Sequence, residues 1–292
     1  MNPWILAIRP QTLAAGLAPV VIGTAMALGD GLFHAASALM ALSVALCIQI
    51  GTNLANDYFD FKKGADTSER QGPTRVTQAG LIKPPKVLLA AIVFFVLAAL
   101  SSLYLIHRAG VSILIIAIAS IICGIFYTAG PMPLGYLGLG DLLVLIFFGP
   151  VAVGGTYFTQ ALEINWAVIV AGLAPGFLSM AILAVNNLRD IDTDRRAGKL
   201  TLAVRFGRGF AMSEYLFCII AATLTPFAVF LITGDRQGIA AASLIGFCAI
   251  PCVKRVFVHL DGTGLNQVLG DTGRLLLIYG TLFSSGWLLC SR

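Results

Sequence analysis

The sequence predicts an all-α integral membrane protein, a bundle of about nine transmembrane helices with a cytoplasmic N-terminus. Three observations carry this expectation. Hydrophobic residues make up 58% of the 292 positions and charged residues only 11%, whereas roughly a quarter of a soluble domain is charged. Mean hydropathy is correspondingly high, at +0.89. Apolar runs long enough to cross a hydrocarbon core of about 30 Å recur along the chain, and basic residues gather at alternate run ends.

The first run lies near 11–29. It follows MNPWILAIRPQTL, which lacks the basic start, short apolar core and small-residue cleavage site of a secretory signal, so the N-terminus is expected to stay on the chain. A turn at Gly29-Asp30-Gly31 leads into 34–54, and a long polar stretch separates this run from 86–106 and 111–128. The fourth run is short and ends in YTAGPMPLGYLGLG. Next come 138–160 and 167–187, a second polar stretch, then 211–232, 239–258 and 274–290. With the N-terminus inside, all of the 19 Lys and Arg residues except Arg108, Arg236 and Arg292 fall on the cytoplasmic side. The net charge of +5 then reflects orientation in the bilayer, and no nucleic-acid partner is expected. The chain reads as a single polytopic domain over 1–292, with aspartate-rich loops near 53–85 and 186–210 on one face. The six cysteines lack ligand spacing and read as small buried hydrophobes.

Half of the 14 acidic residues sit in those two loops: Asp57, Asp60, Asp66 and Glu69 in the first, Asp190, Asp192 and Asp194 in the second. Asn53, Asn56 and Asp60 follow i, i+3, i+7 spacing, and so do Asn187, Asp190 and Asp194. Such spacing lines one helical face. Two helices thus present matching oxygen-rich faces at one membrane surface, which suggests an internal repeat. Facing carboxylates beside hydrocarbon require neutralising cations. Mg²⁺ takes oxygen ligands and is commonly held by one or two carboxylates plus substrate phosphates. The interleaved Lys63, Arg75, Arg195 and Lys199 point to an anion as well. A metal-bridged diphosphate satisfies both sets; the alternative is that these are solvated loop charges that set orientation.

NDYFDFKKGADT followed by GPTR, together with NNLRDIDTDRRAGKLTLAVRFG, resembles the two aspartate-rich motifs of the UbiA superfamily of intramembrane prenyltransferases. WILAIRPQTLAAGLAPVVIGTA, AGPMPLGYLGLGDLLVLIFFGPVAVGGTY and HLDGTGLNQVLGDTGRLLLIYG extend the likeness over nearly the whole chain, toward the 1,4-dihydroxy-2-naphthoate polyprenyltransferase branch, the MenA family of menaquinone synthesis. One departure is visible. The superfamily pattern NDxxDxxxD places an acid four residues after Asp60, where this chain has Gly64; its next acid is Asp66.

The resemblance implies a UbiA-like bundle in a bacterial inner membrane with its active-site loops cytoplasmic. It implies a polyprenyl diphosphate whose head sits between the two motifs. Mg²⁺ would be held by Asn56, Asp57, Asp60, Asp66, Asp190 and Asp194, with Asn53 and Asn187 supporting the shell. Asp57, Asp60, Asp190 and Asp194 would carry the catalysis, and Lys63, Arg75, Arg195 and Lys199 would complete the diphosphate clamp. Arg9, Gln11 and Tyr127 would face the aromatic acceptor, dihydroxynaphthoate. Two other readings stay open: the same chemistry on another ring such as 4-hydroxybenzoate or homogentisate, and an ion-coupled transporter. Transporter acids are expected near the membrane midplane on broken helices, whereas these lie at helix ends beside basic loops.

Overall fold

The computed structural model describes residues 2–65, 72–258 and 262–289, and every regular element among them is helical. Asn2 caps α1 (Pro3–Ile8) by accepting the Trp4 amide at 2.9 Å. Arg9 then takes a left-handed conformation, φ 56° and ψ 72°, and Pro10 opens α2 (Pro10–Gly29). The chain continues through α3 (Ala35–Lys62), α4 (Pro84–Ala109), α5 (Val111–Phe126), α6 (Gly140–Ile146), α7 (Ala152–Ala161) and α8 (Trp166–Arg196). The short α9 (Leu202–Phe206) precedes α10 (Arg208–Thr233), α11 (Ile245–Val258) and α12 (Gly262–Leu289). His34 and Asn165, at the starts of α3 and α8, accept backbone amides with their side chains, which satisfies donors a helix start leaves open.

Among the described residues, seven helical segments are long and apolar enough to cross a membrane: α2, α3, α4, the joined α6–α7, α8, α10 and Gln237–Val258. The remaining two expected runs are also helical, but they differ from full spans. α5 has 16 residues, below the roughly 20 that a span needs. α12 has 28 residues, yet its first half carries Asn266, Gln267, Asp271 and Arg274.

Two packed blocks organise the bundle. The larger centres on α8, which is flanked by α2, α7, α10 and α12. The smaller joins α1, α3 and α4 to the loop at 76–82. The α6–α7 rod passes close to α8 because of two glycines. A Cβ on Gly172 would stand 2.7 Å from the Pro150 Cα, and one on Gly176 2.5 Å from the Leu145 carbonyl oxygen. Close backbone approach through small residues is a standard means of packing helices in lipid. The rod bends there: Gly149 leaves helical geometry at φ −110° and ψ −114°, and Pro150 has no amide hydrogen to donate.

Burial separates the roles of the long helices. In the most apolar stretch of α8, 67% of residues are buried, against 17% in α3, because α3 stands between lipid on one side and a cavity between the blocks on the other. Asp30 and Arg236 close the end of the bundle opposite the aspartate-rich loops. They pair at 2.8 Å, with the guanidinium stacked 4.5 Å from the Trp287 ring centre and the Tyr157 hydroxyl donating to Asp30 at 2.9 Å. Cys218 and Cys252 are buried as expected, Cys47 and Cys123 are half-buried, and Cys248 is exposed; these five are all free thiols, and Cys290 lies outside the described residues.

Candidate active site

α3 and α8 bring their last turns to one end of the cavity. Asn53, Asn56 and Asp60 line it from α3, and Asn187, Asp190 and Asp194 from α8, with Asn186 and Thr193 beside them. The helices also end alike. The Ala65 amide donates to the Asp60 carbonyl and the Lys199 amide to the Asp194 carbonyl, both at 2.9 Å. Each closure runs across a left-handed glycine, Gly64 at φ 69° and Gly198 at φ 72°, the residue type such a cap requires. The internal repeat therefore extends from side chains to backbone. Asp60 and Asp194 are its equivalent members, one on each wall.

A single ammonium spans the two walls. Lys199 Nζ donates to Asp60 Oδ2 at 3.1 Å and lies 3.8 Å from Asp194 Oδ1. Asp60 also accepts the Tyr136 hydroxyl at 2.9 Å, and Arg75 Nη2 is 3.7 Å away. The Tyr136 ring sits between Lys63 and Lys199, whose Nζ atoms lie 4.8 and 4.9 Å from its centre, within range of cation–π attraction. On the α8 wall, Arg189 grips Asp190 through two bonds of 2.8 and 2.6 Å and donates to Asn186 and Asn266, each at 2.7 Å. Buried acids are thus balanced by buried bases, as a low-dielectric site demands.

Several expected positions behave differently in the structure. Asp57 does not line the cavity. It is 1% exposed, and its two carboxylate oxygens accept the Val76 and Thr77 amides at 3.1 and 3.0 Å. One residue beyond Asn56, it is turned roughly 100° round the helix, and it anchors the loop that carries Arg75. Lys63 is exposed and donates to the Thr128 and Gly130 carbonyls at 2.7 and 3.0 Å, so it holds the loop after α5. Partial loss of water around the ammonium, packed against those carbonyls, lowers it below the ordinary lysine range; Asp60 opposes that shift and Lys199 adds to it. Arg195 is exposed, one step round α8 from Asp194, and faces away from the cavity. Gln11 is exposed and lies against α12 near Gly270 and Gly273. Asn53 lines the cavity but spends its amide nitrogen on the Ile8 carbonyl and the Thr12 hydroxyl, both at 2.9 Å, which fixes the Arg9 turn. Asp66 lies outside the described residues.

Arg9, Arg75, Tyr127 and Lys199 line the cavity. Tyr136, Thr128 and Asn186 also line it, and Arg189 joins the site through its grip on Asp190. Thr128 donates to Asn56 Oδ1 at 2.8 Å. Arg189 counts in the sequence only as one more cytoplasmic charge, and nothing in the GYLG stretch marks Tyr136 as a partner of Asp60. Among the described residues, no three acidic, imidazole or thiol groups stand close enough to hold an ion by themselves. The donors at the cavity head are oxygens of Asn56, Asp60, Asp190 and Asp194. That set fits a hard cation such as Mg²⁺, which needs few protein ligands when phosphate oxygens complete its shell.

Behind this head the cavity, about 370 Å³, becomes apolar. Val20, Val44, Ile48, Phe147 and Val151 line its middle, and Leu105 and Ile113 its far end. Inside a helical membrane bundle, an acid-and-base head on an apolar tunnel defines a site for an amphiphile with an anionic head. Residues 16–266 match the UbiA prenyltransferase family, and the chain belongs to that family. The 1,4-dihydroxy-2-naphthoate octaprenyltransferases of Escherichia coli and Mycobacterium tuberculosis are 42% and 40% identical to it, over 97% and 94% of this chain and 94% and 93% of theirs. A UbiA homologue from Archaeoglobus fulgidus, solved bound to DMAPP and Mg²⁺, superposes with a TM-score of 0.62 at 16% identity, covering 96% of this chain and 99% of the other. The two share a fold.

Proposed function

We propose that this chain is a Mg²⁺-dependent polyprenyltransferase that joins a polyprenyl diphosphate to 1,4-dihydroxy-2-naphthoate, releasing diphosphate and CO₂ and giving demethylmenaquinol for menaquinone synthesis. The observation that carries the reading is the pair of matched acid faces on α3 and α8, bridged by Lys199 at the head of an apolar tunnel. The names of the relatives point to the same acceptor. We place the head at the cytoplasmic face of a bacterial inner membrane, since basic residues gather there, and treat the chain as one working domain.

Asn56, Asp60, Asp190 and Asp194 would hold the metal, with Asn187 in support. Bound Mg²⁺ supplies Lewis-acid stabilisation of charge on the departing diphosphate. Lys199 and Arg75 add fixed positive charge to the same oxygens, in a site where preorganised charge costs no rearrangement at the moment of reaction. Asp57, Lys63 and Asn53 act through the backbone they pin. The donor's C1–O bond breaks and its electron pair leaves with diphosphate. A π pair from the ring carbon bearing the carboxylate forms the new C–C bond, and the pair of the C–CO₂⁻ bond returns to the ring as CO₂ departs. No separate base is needed. The Tyr127 ring, on the cavity wall, offers its π face to the developing cation, and the enclosed walls exclude water from it.

Arg9 is the acceptor's partner in this reading. It lines the head and is held in a left-handed conformation by Asn53 and by Thr12, whose hydroxyl donates to the Arg9 carbonyl at 3.0 Å. Such strain in a non-glycine residue collects at functional sites. Arg9→Ala is expected to raise the acceptor KM roughly ten- to a hundredfold, the value of one charged hydrogen bond, with a smaller change in donor KM; equal changes in both would remove the assignment. The function itself is tested with purified protein, Mg²⁺, a long-chain polyprenyl diphosphate and a panel of ring acceptors, with products weighed by mass spectrometry. The naphthoate must give a product lighter by CO₂ than the simple adduct. Product with 4-hydroxybenzoate and none with the naphthoate would move the assignment to another acceptor.

A further inference from the structure

We propose that Gly155 sets how far a prenyl tail can run down the tunnel, and hence which donor lengths the site accepts. The inference rests on the prenyl-donor reading above and adds to it a residue that decides specificity. Gly155 lies inside α7 and lines the cavity. A glycine in a helix interior costs stability relative to alanine, so its presence calls for a local reason. Packing does not supply one, because a Cβ built on Gly155 meets nothing within 4 Å. The glycines around it differ: a Cβ on Gly154 would touch Ile169 and Ile164 at 3.3 and 3.4 Å, and one on Gly124, also lining the cavity, would stand 2.7 Å from the Thr52 hydroxyl. Backbone conformation supplies no reason either, since Gly155 is absent from the positive-φ positions. What the missing side chain leaves is open tunnel.

The position along the tunnel gives that space its use. Cavity-lining residues run from Tyr127, the C-cap of α5 at the head, to Ile113 of α5 at the far end, roughly 21 Å along the helix axis at 1.5 Å per residue. Gly155 stands one helical turn before Thr159, which lines the far end of the cavity. There Arg108 donates to the Thr159 and Gln160 carbonyls at 2.9 and 3.0 Å. The hydroxyls of Ser102 and Thr159 at this end are spent on carbonyls of their own helices, so the end offers a hydrocarbon tail an apolar wall. A short tail stops above Gly155. A long one must pass it, and a branched side chain there would fill its path without displacing backbone.

The test compares Gly155→Ala and Gly155→Leu with wild type, in detergent with Mg²⁺, for binding of geranyl diphosphate and of a long-chain all-trans polyprenyl diphosphate, and for turnover of each. Leucine is expected to weaken the long donor relative to geranyl diphosphate by roughly tenfold or more, on the scale by which apolar pockets discriminate size, with alanine in between. Geranyl binding serves as the folding control. Should leucine disturb folding, the alanine ratio decides. An unchanged ratio of long to short donor in both variants, or an equal loss of both donors, overturns the proposal. Wild type that binds both donors but makes no product with the naphthoate refutes only the acceptor assignment. Wild type that binds neither refutes the prenyl reading and this inference together.

Discussion

Asp60→Ala and Asp190→Ala are each expected to lower kcat by on the order of a thousandfold, the usual loss when a preorganised charge contact to the leaving group is removed, with the fold retained. The two replacements act on opposite walls. Asp60 balances Lys199 and Arg75 and orients Tyr136; without it, two cations face the head unopposed by their carboxylate, and one of the few oxygen ligands available to a metal is lost. Asp190 is the member that Arg189 holds in a two-bond grip. Asp60→Asn is the sharper version. It keeps an oxygen for the Tyr136 hydroxyl and removes only the charge, so it should fall as far as the alanine variant. Near-normal turnover in Asp60→Asn, with unchanged thermal stability, would remove Asp60 from the metal shell.

Asp57→Ala is expected to act on stability instead. Its carboxylate satisfies two buried backbone amides, Val76 and Thr77, and leaving both unpaired costs about 2–6 kcal/mol at the usual value per buried group. A lower melting temperature in detergent reads that loss directly. The loop also carries Arg75, so the donor KM should rise with it. Asp57→Asn keeps one acceptor and should lose less stability. Its kcat at saturating donor, measured below the melting temperature, is expected to stay within about tenfold of wild type, far above the loss set by a missing electrostatic contact. Were Asp57→Asn as inactive as Asp60→Asn at unchanged melting temperature, Asp57 would be a ligand after all.

Asp57 also marks where sequence stops being sufficient. The helices were legible because a bilayer demands long apolar runs, and the acid faces because i, i+3, i+7 spacing is a local property of a helix. Neighbours on a helix differ by about 100° in direction, and spacing alone does not say which neighbour faces inward. Asn56 and Asp60 face the cavity, while Asp57 faces a loop nineteen residues on. The bases followed the same rule. Lys199 bridges the walls and Arg195 points outward, although both belong to the motif, because the left-handed turn at Gly198 redirects the chain between them. Tyr136 and Arg189 were not legible, since their partners come from tertiary contact. The bend at Phe147–Val151 was hidden inside a continuous apolar run, with the Gly149-Pro150 pair its only local mark.

The most direct test is of the head itself. Mn²⁺, a spectroscopic substitute for Mg²⁺, can be titrated into purified protein with and without a prenyl diphosphate and followed by electron paramagnetic resonance, which reports both binding and any phosphorus coupled to the metal. With few protein ligands and a shell completed by phosphate, the clamp predicts tight Mn²⁺ binding only when the diphosphate is present. It also predicts a phosphorus coupling that disappears in Asp60→Asn and Asp190→Asn. Mn²⁺ that binds equally well without the diphosphate, or that shows no phosphorus coupling in the wild-type complex, would contradict a metal-bridged head between α3 and α8.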